Sequence, residues 1–210
     1  MKKTATNIVW LKRDIRSQDH ASLHKAEKAG IPYLIIYLFE PSIIEYPDTS
    51  LRHLQFIYQS LLTLNKTLVQ TNREVNIFYG EAIDVFKYLH QTFEIKNLFS
   101  FRESGTQVTW NRDKSVKSFC HTNQINWTES QRDGILRGIR NRTDWNKQWH
   151  ASMHEPVINN QYSYSNEEKL IHPFVLPRNI ENHLQNYLKE HQPPGEKNAW
   201  RYLQSFTAQR

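Results

Sequence analysis

Cysteine and glycine are scarce in this chain, and no long apolar run occurs in it. The single cysteine, Cys120, excludes an intrachain disulfide and fits a reducing, cytoplasmic setting. The longest apolar run, LIIYLF at 34–39, falls far short of the roughly 20 residues a helix needs to cross a bilayer, so no membrane partner is expected. The basic N-terminus MKKTATN has no apolar segment of secretory length behind it, and no signal peptide is expected. The six glycines form neither G-x-G-x-x-G nor G-x-x-x-x-G-K-[ST], the signatures of a dinucleotide or phosphate cradle. Two histidine pairs at i, i+4 spacing, His20/His24 and His150/His154, lack an H-E-x-x-H frame and a third ligand, so no metal site is expected. Ser104-Gly105 lacks the G-x-S-x-G elbow that exposes a nucleophilic serine. Cys120 falls on the apolar face of a helical pattern and reads as packing rather than as a nucleophile.

What is present is a regular alternation of two periods. Apolar runs rich in β-branched and aromatic residues occur at NIVWL (7–11), PYLIIYLF (32–39), VNIFYG (75–80), NLFSF (97–101) and INWTE (125–129). Each is short and almost continuously apolar, the pattern of strands buried on both faces of a parallel sheet. Between them lie helical patterns, the clearest being Leu51, Leu54, Ile57 or Tyr58, Leu61, Leu64 and Leu68, with Ala82, Val85, Phe86, Leu89 and Phe93 next. Weaker patterns run through Leu23 and Ala26 and through Val116, Phe119 and Cys120. Strand and helix in turn through five rounds predict an α/β domain, a doubly wound, five-stranded, Rossmann-like parallel sheet with helices on both faces.

Beyond residue 131 the alternation stops. A basic cluster (Arg132, Arg137, Arg140, Arg142) leads to Trp145 and Trp149, four apart, and then to a long irregular connection at 156–178. A helix is expected at 179–190 through Ile180, Leu184 and Leu188, followed by the breaker HQPPG and a new helical start, EKNAWRYLQSFTAQR. The expected division is an α/β domain over 1–131, a linker with short helices over 132–194, and the start of a further helical domain over 195–210. The net charge of +6 favours an anionic partner without naming one. Arg137, Arg140 and Arg142 are the candidates for contact with nucleic acid, where arginine neutralises phosphate and tryptophan stacks on bases. The alternative for Trp145 and Trp149 is structural, as anchors of a linker helix on another domain.

In an open parallel sheet, ligands bind beyond the carboxyl ends of the strands, where the strand order reverses. Those ends bring Arg13, Asp14, Glu40, Glu81, Arg102, Glu103 and Glu129 to one rim, with Phe39 or Phe101 available for stacking. The plainer reading is that strand ends carry polar residues because they meet water.

The stretch IVWLKRDIRSQDHASL (8–23) resembles the opening strand and turn of the photolyase/cryptochrome family, written W-[FL]-[KR]-R-D-[LI]-R-x-x-D-[NH]-x-[AS]-L. LIIYLFEP at 34–41 resembles that family's second strand with its acidic-Pro turn, and Arg112-Asp113 with Val116 resembles the R-D-x-x-V opening of its fourth helix. GEKNAWRYLQSF (195–206) is similar to the segment that begins the family's flavin-binding helical domain. The resemblance implies an N-terminal domain that holds an antenna chromophore (a folate, a deazaflavin or a flavin). It also implies a helical domain, largely beyond this chain, that carries FAD and receives UV-damaged DNA. The whole protein is then expected to be a lyase splitting pyrimidine dimers by flavin electron transfer, or a cryptochrome-type blue-light sensor. The chain alone is expected to be inactive and monomeric, with no catalytic residue of its own. The positions matching the antenna rim are Lys12, Arg13, Asp14, Phe39 and Glu40 by motif, and Arg102 and Glu103 by place at a strand end. Arg16 and Asp19 are expected to pin the turn and cap the first helix. Two other readings stay open: a stand-alone α/β nucleotide-binding module, and an interaction domain docking on nucleic acid through 132–150.

Overall fold

The computed structural model describes residues 3–131, 134–135 and 140–209. Five short strands form one parallel sheet: β1 (Ala5–Leu11), β2 (Tyr33–Phe39), β3 (Val75–Tyr79), β4 (Glu94–Phe101) and β5 (Asn126–Ser130). Their spatial order is β3-β2-β1-β4-β5. The chain therefore winds outward from β1 to β3, crosses back, and lays β4 on the free side of β1. The order reverses between β1 and β4, and that junction is where such sheets bind ligands.

The pleat sorts strand residues onto two cores. Val9, Leu11, Ile35 and Phe39 face α1 (Ala21–Lys28) and α3 (Leu51–Leu68), which contribute Leu23, Leu61 and Leu64. Ile8, Trp10, Ile36 and Phe78 face α4 (Ala82–Thr92) and α5 (Gln107–Thr122), which contribute Val85, Phe86, Leu89, Val116 and Cys120. Trp10 meets Phe86 edge to face at 5.2 Å. Cys120 is buried, and that burial pushes its thiol up to about 12, so it packs as a small apolar group. A four-residue helix α2 (Pro41–Ile44) and α6 (Trp145–Met153) complete the elements before the connecting segment.

Residues 156–177 strap the sheet. The Tyr79 N–H donates to the Phe174 carbonyl at 2.9 Å, and the Ser165 N–H donates to the Thr71 carbonyl at 2.9 Å. His172 stacks on Phe78 at 4.0 Å. Gly80 is required beside the strap, because a Cβ there would lie 2.7 Å from the Phe174 ring. The strap covers the β3 edge, which would otherwise present unpaired backbone groups.

The helix expected at 179–190 is shorter. α7 runs over Arg178–Gln185 and buries Leu184 against α3 with Ile180 beside it, whereas Leu188 is 80% exposed. The cause lies on α3. Gln55 Nε2 donates to the carbonyls of His183 and Asn186, and Gln59 Nε2 donates to that of Gln185. Side-chain amides thus satisfy the terminal carbonyls that a further helical turn would have used. The chain restarts as α8 (Glu196–Gln209). Leu184→Ala should cost about 2–5 kcal/mol of stability, and Leu188→Ala no more than about 0.5 kcal/mol. Urea denaturation of both variants checks this, and equal losses would mean that the helix continues past Gln185.

Candidate functional site

Beyond the strand ends, one guanidinium gathers the carboxylates of three elements. Arg112, in the second turn of α5, places Nη1 2.8 Å from Glu40 at the end of β2. Its Nη2 bonds Glu103 after β4 and lies 2.9 Å from Asp113. Asp113 in turn holds the Lys12 ammonium at 2.8 Å, and Glu103 accepts from Arg13 Nε at 3.0 Å. Both Lys12 and Arg112 lie over the Trp10 indole, 4.4 and 4.7 Å from its centroid. Burial alone would drain the proton from Arg112, but Glu40, Glu103 and Asp113 outweigh it and keep the guanidinium firmly charged. Burial raises the Glu40 carboxyl, with Arg112 and the Ala82 N–H opposing that rise.

Asp14 is locked separately. Its Oδ1 accepts the Lys12 backbone N–H at 2.8 Å, and its Oδ2 lies 2.8 Å from His20 Nε2. His20 Nδ1 accepts the Leu23 N–H, which puts the ring proton on Nε2, facing Asp14 along a bent path. Burial pulls the Asp14 carboxyl upward, yet His20 and the Lys12 N–H together hold it below the ordinary carboxylate value. Asp14 therefore stabilises the fold above the ordinary carboxylate range, and that contribution is lost as pH falls through its depressed value. The helix cap is thus His20 and not Asp19. Asp19 sits at φ 52° and exchanges hydrogen bonds with Ile158, while Arg16 pins the turn by donating to the Asp19 carbonyl at 2.6 Å.

Lys12, Arg13, Asp14, Glu40, Glu103 and Arg112 border a cavity of about 760 Å³ at the reversal of strand order. Its walls come from the ends of β1 and β2, Glu103 beyond β4, the segment from α2 into α3, the start of α5, Gly195, and α8 through Glu196, Ala199, Trp200 and Leu203. Glu196 positions that last wall, its carboxylate accepting from Ser17 N, Ser17 Oγ and Gln18 N at 2.8, 2.6 and 3.1 Å.

Of the residues expected at the rim, Lys12, Arg13, Asp14, Phe39, Glu40 and Glu103 all line the cavity. Among the described residues Arg13 is held by Glu103 alone and leaves its side chain 54% exposed. Lys12, Asp14, Glu40 and Glu103 are buried in the bonds just described. Arg102 is not brought in. It is exposed, and its N–H still pairs with the Ser130 carbonyl at 2.9 Å, so the pleat runs one residue further before the chain turns inward at Glu103. Phe101 is buried against His20 outside the cavity, and Phe39 packs among Tyr37 and Tyr58 and backs the wall. Tyr46, His53, Phe56 and Trp200 line the cavity instead. Arg140 and Arg142 are exposed and take no part in it, and Arg137 lies outside the described residues. Trp145 and Trp149 stack on each other at 6.3 Å, with Trp149 closing over Gly134. His20 is engaged as a cap, and no group of three potential metal ligands occurs among the described residues. Arg112, Tyr37 and the α8 wall were not among the expected site residues.

The family model for DNA photolyase matches residues 7–155. The chain belongs to the DNA photolyase family. It is 23% identical over 218 aligned positions to a deoxyribodipyrimidine photo-lyase of Buchnera aphidicola, covering 95% of this chain and 44% of that protein. It is 21% identical to a cryptochrome-1 of Aedes aegypti over 60% of this chain and 24% of that one. Among solved structures, a class III photolyase from Agrobacterium tumefaciens superposes with a TM-score of 0.76 at 17% identity, over 99% of this chain and 45% of its own. An archaeal photolyase from Sulfolobus tokodaii, described as holding two FAD molecules with the implication of a novel light-harvesting cofactor, gives 0.74 at 19% identity, over 94% and 46%. At such identities the likeness establishes the fold: this is the α/β domain of photolyases and cryptochromes. The chain spans less than half the length of each of these relatives.

Removing the hub cation of this photolyase domain should be severe. Arg112→Met is expected to cost about 3–5 kcal/mol at neutral pH, because buried carboxylates are left unpaired. The deficit should shrink on acidification. Glu40, already raised by burial, loses its main opposing charge, so the folded variant takes up that proton before the unfolded chain does. Urea midpoints from pH 7 to pH 4.5 check the sign, and a deficit that is constant or grows would contradict it.

Proposed function

We propose that this domain holds an antenna chromophore in the cavity at the β1–β4 junction, within a light-driven flavoprotein that acts on UV-damaged DNA. The observation that carries the reading is the cavity itself: about 760 Å³, at the reversal of strand order, with aromatic and aliphatic walls beside a cluster of paired charged groups. Ligand sites of this kind typically span about 300–1,000 Å³. The donor set suits a planar, polar heterocycle such as a folate, a deazaflavin or a flavin. Tyr46, His53, Phe56 and Trp200 offer aromatic walls, Arg13 a half-exposed cation, and Tyr37 a hydroxyl. The light-harvesting cofactor named for the Sulfolobus tokodaii photolyase supports the same use of the fold.

The bound chromophore would supply absorption of near-ultraviolet or blue light and its transfer through space to the catalytic flavin. The domain's own part is to fix position and exclude water. The Arg112 cluster makes the floor rigid by tying β2 and β4 to α5 across the end of β1. The contact of Glu196 with Ser17 and Gln18 holds α8 over the opening. FAD and the surface that receives DNA are assigned to the helical part of the longer relatives, and the domain alone is assigned no repair activity. A cytoplasmic location accords with its single buried thiol.

Titration of the chain with FMN, FAD and 5,10-methenyltetrahydrofolate, followed by tryptophan fluorescence, should show saturable binding of at least one. Ala199→Trp, an exposed position on the α8 wall, should abolish that binding while changing stability by no more than about 0.5 kcal/mol. Undiminished binding by the variant would place the chromophore elsewhere. Blue-light-dependent loss of cyclobutane dimers from an irradiated oligonucleotide, assayed with the longest natural form of the protein, supports repair. A flavin-loaded form that leaves dimers intact makes it a light sensor instead.

A further inference from the structure

Among the buried tyrosines of the described residues, one has a hydroxyl without a protein partner. Tyr37 is 8% exposed, lines the cavity, and has its ring fixed against Phe39 at 5.0 Å. The other buried tyrosines are all satisfied: Tyr33 donates to Glu27, Tyr58 to Glu181 and Tyr187 to the Gln192 carbonyl. Tyr37 makes no hydrogen bond among the described residues, and its oxygen is not one of the unpartnered atoms sealed inside the protein. It therefore opens on the cavity. The hydroxyl makes no contact that holds the fold, whereas the ring packs against Phe39, a contact phenylalanine would also make. Open to the cavity, the hydroxyl is left to water when the space is empty and is available to a polar atom of whatever fills it.

The neighbouring charges say which kind of atom that is. Burial, reinforced by the carboxylates of Glu103 and Glu40, raises the phenol above its ordinary value, so it stays protonated and donates. Those carboxylates line the same cavity and are acceptors only. A donor beside acceptors is complementary to a ring carbonyl beside a ring N–H, the lactam edge that flavins, deazaflavins and folate pterins share.

We propose that Tyr37 is the specificity-determining donor of the cavity, bonding a ring carbonyl of the heterocycle and selecting ligands that carry a lactam edge; this rests on the antenna reading above.

The test compares the chain with its Tyr37→Phe variant, using FMN as the lactam-bearing probe and proflavine as a planar tricyclic probe without a carbonyl. Tyr37→Phe should weaken FMN binding roughly tenfold, the equivalent of one hydrogen bond. Proflavine affinity and the melting temperature of the ligand-free chain should not fall, because no protein contact is removed. Equal FMN affinity in the two proteins would overturn the role of Tyr37 while leaving the antenna site standing. A lowered melting temperature in the ligand-free variant would overturn it in favour of a structural hydroxyl. If FMN, FAD and 5,10-methenyltetrahydrofolate all fail to bind the unaltered chain, the antenna reading falls and this inference falls with it.

Discussion

The Arg112 guanidinium is the contact on which the rim depends. It is contributed by α5, yet it grips Glu40 after β2 and Glu103 after β4, the two strands that flank β1. Strand ends have no ladder of hydrogen bonds to fix them, so the loops that follow would otherwise drift independently. Three cations (Lys12, Arg13, Arg112) face three carboxylates (Glu40, Glu103, Asp113), and the cluster is neutral as a whole. Such a cluster is not a strong source of stability, since apolar residues of similar volume often do as well. What it provides is a polar floor of fixed geometry at the place where the strand order reverses.

A second set of contacts sets the opposite wall. Asn160 exchanges hydrogen bonds with the backbone of His20 and with Gln18, Asp19 pairs with Ile158, and Glu196 receives the N–H groups of Ser17 and Gln18. The loop between β1 and α1 is thereby clamped to the strap and to the first turn of α8. An acidic residue in the first turn of a helix is also well placed against the helix dipole. The loop that begins with Lys12 therefore shapes the cavity from both ends: its first residues form the floor, and its last residues locate the helix across the opening.

Much of this was readable beforehand, for identifiable reasons. Strands buried on both faces announce themselves as continuous apolar runs, and the ends of parallel strands converge by topology, so Arg13, Asp14, Glu40 and Glu103 could be placed at one rim without coordinates. What stayed hidden depended on contacts between distant segments. Hydrophobicity ends the fourth strand at Phe101 and so puts Arg102 at the rim, whereas pairing with Ser130 carries the pleat one residue further. The end of α7 is invisible in its own sequence because glutamines on α3 cap it from outside. Tyr37 was concealed by its setting: within LIIYLF a tyrosine reads as one more apolar core residue. The signal that would have exposed it is alternation, since it shares a face with Phe39 and lies just inside the rim.

The distribution of charge separates two properties that the composition had merged. The cavity cluster is balanced, so the excess of six positive charges lies elsewhere on the molecule. Arg140 and Arg142 are exposed and outside the cavity. Any attraction for nucleic acid through such residues would be long-ranged, salt-dependent and independent of what the cavity holds. Recognition in the cavity is of the opposite kind. The cations of its floor are paired, which leaves a hydroxyl, the remaining acceptor sites of Glu40 and Glu103, a half-exposed arginine and aromatic walls to discriminate among ligands. A site built this way reads the shape and hydrogen-bonding edge of a flat molecule, and salt should affect it far less than contact with DNA.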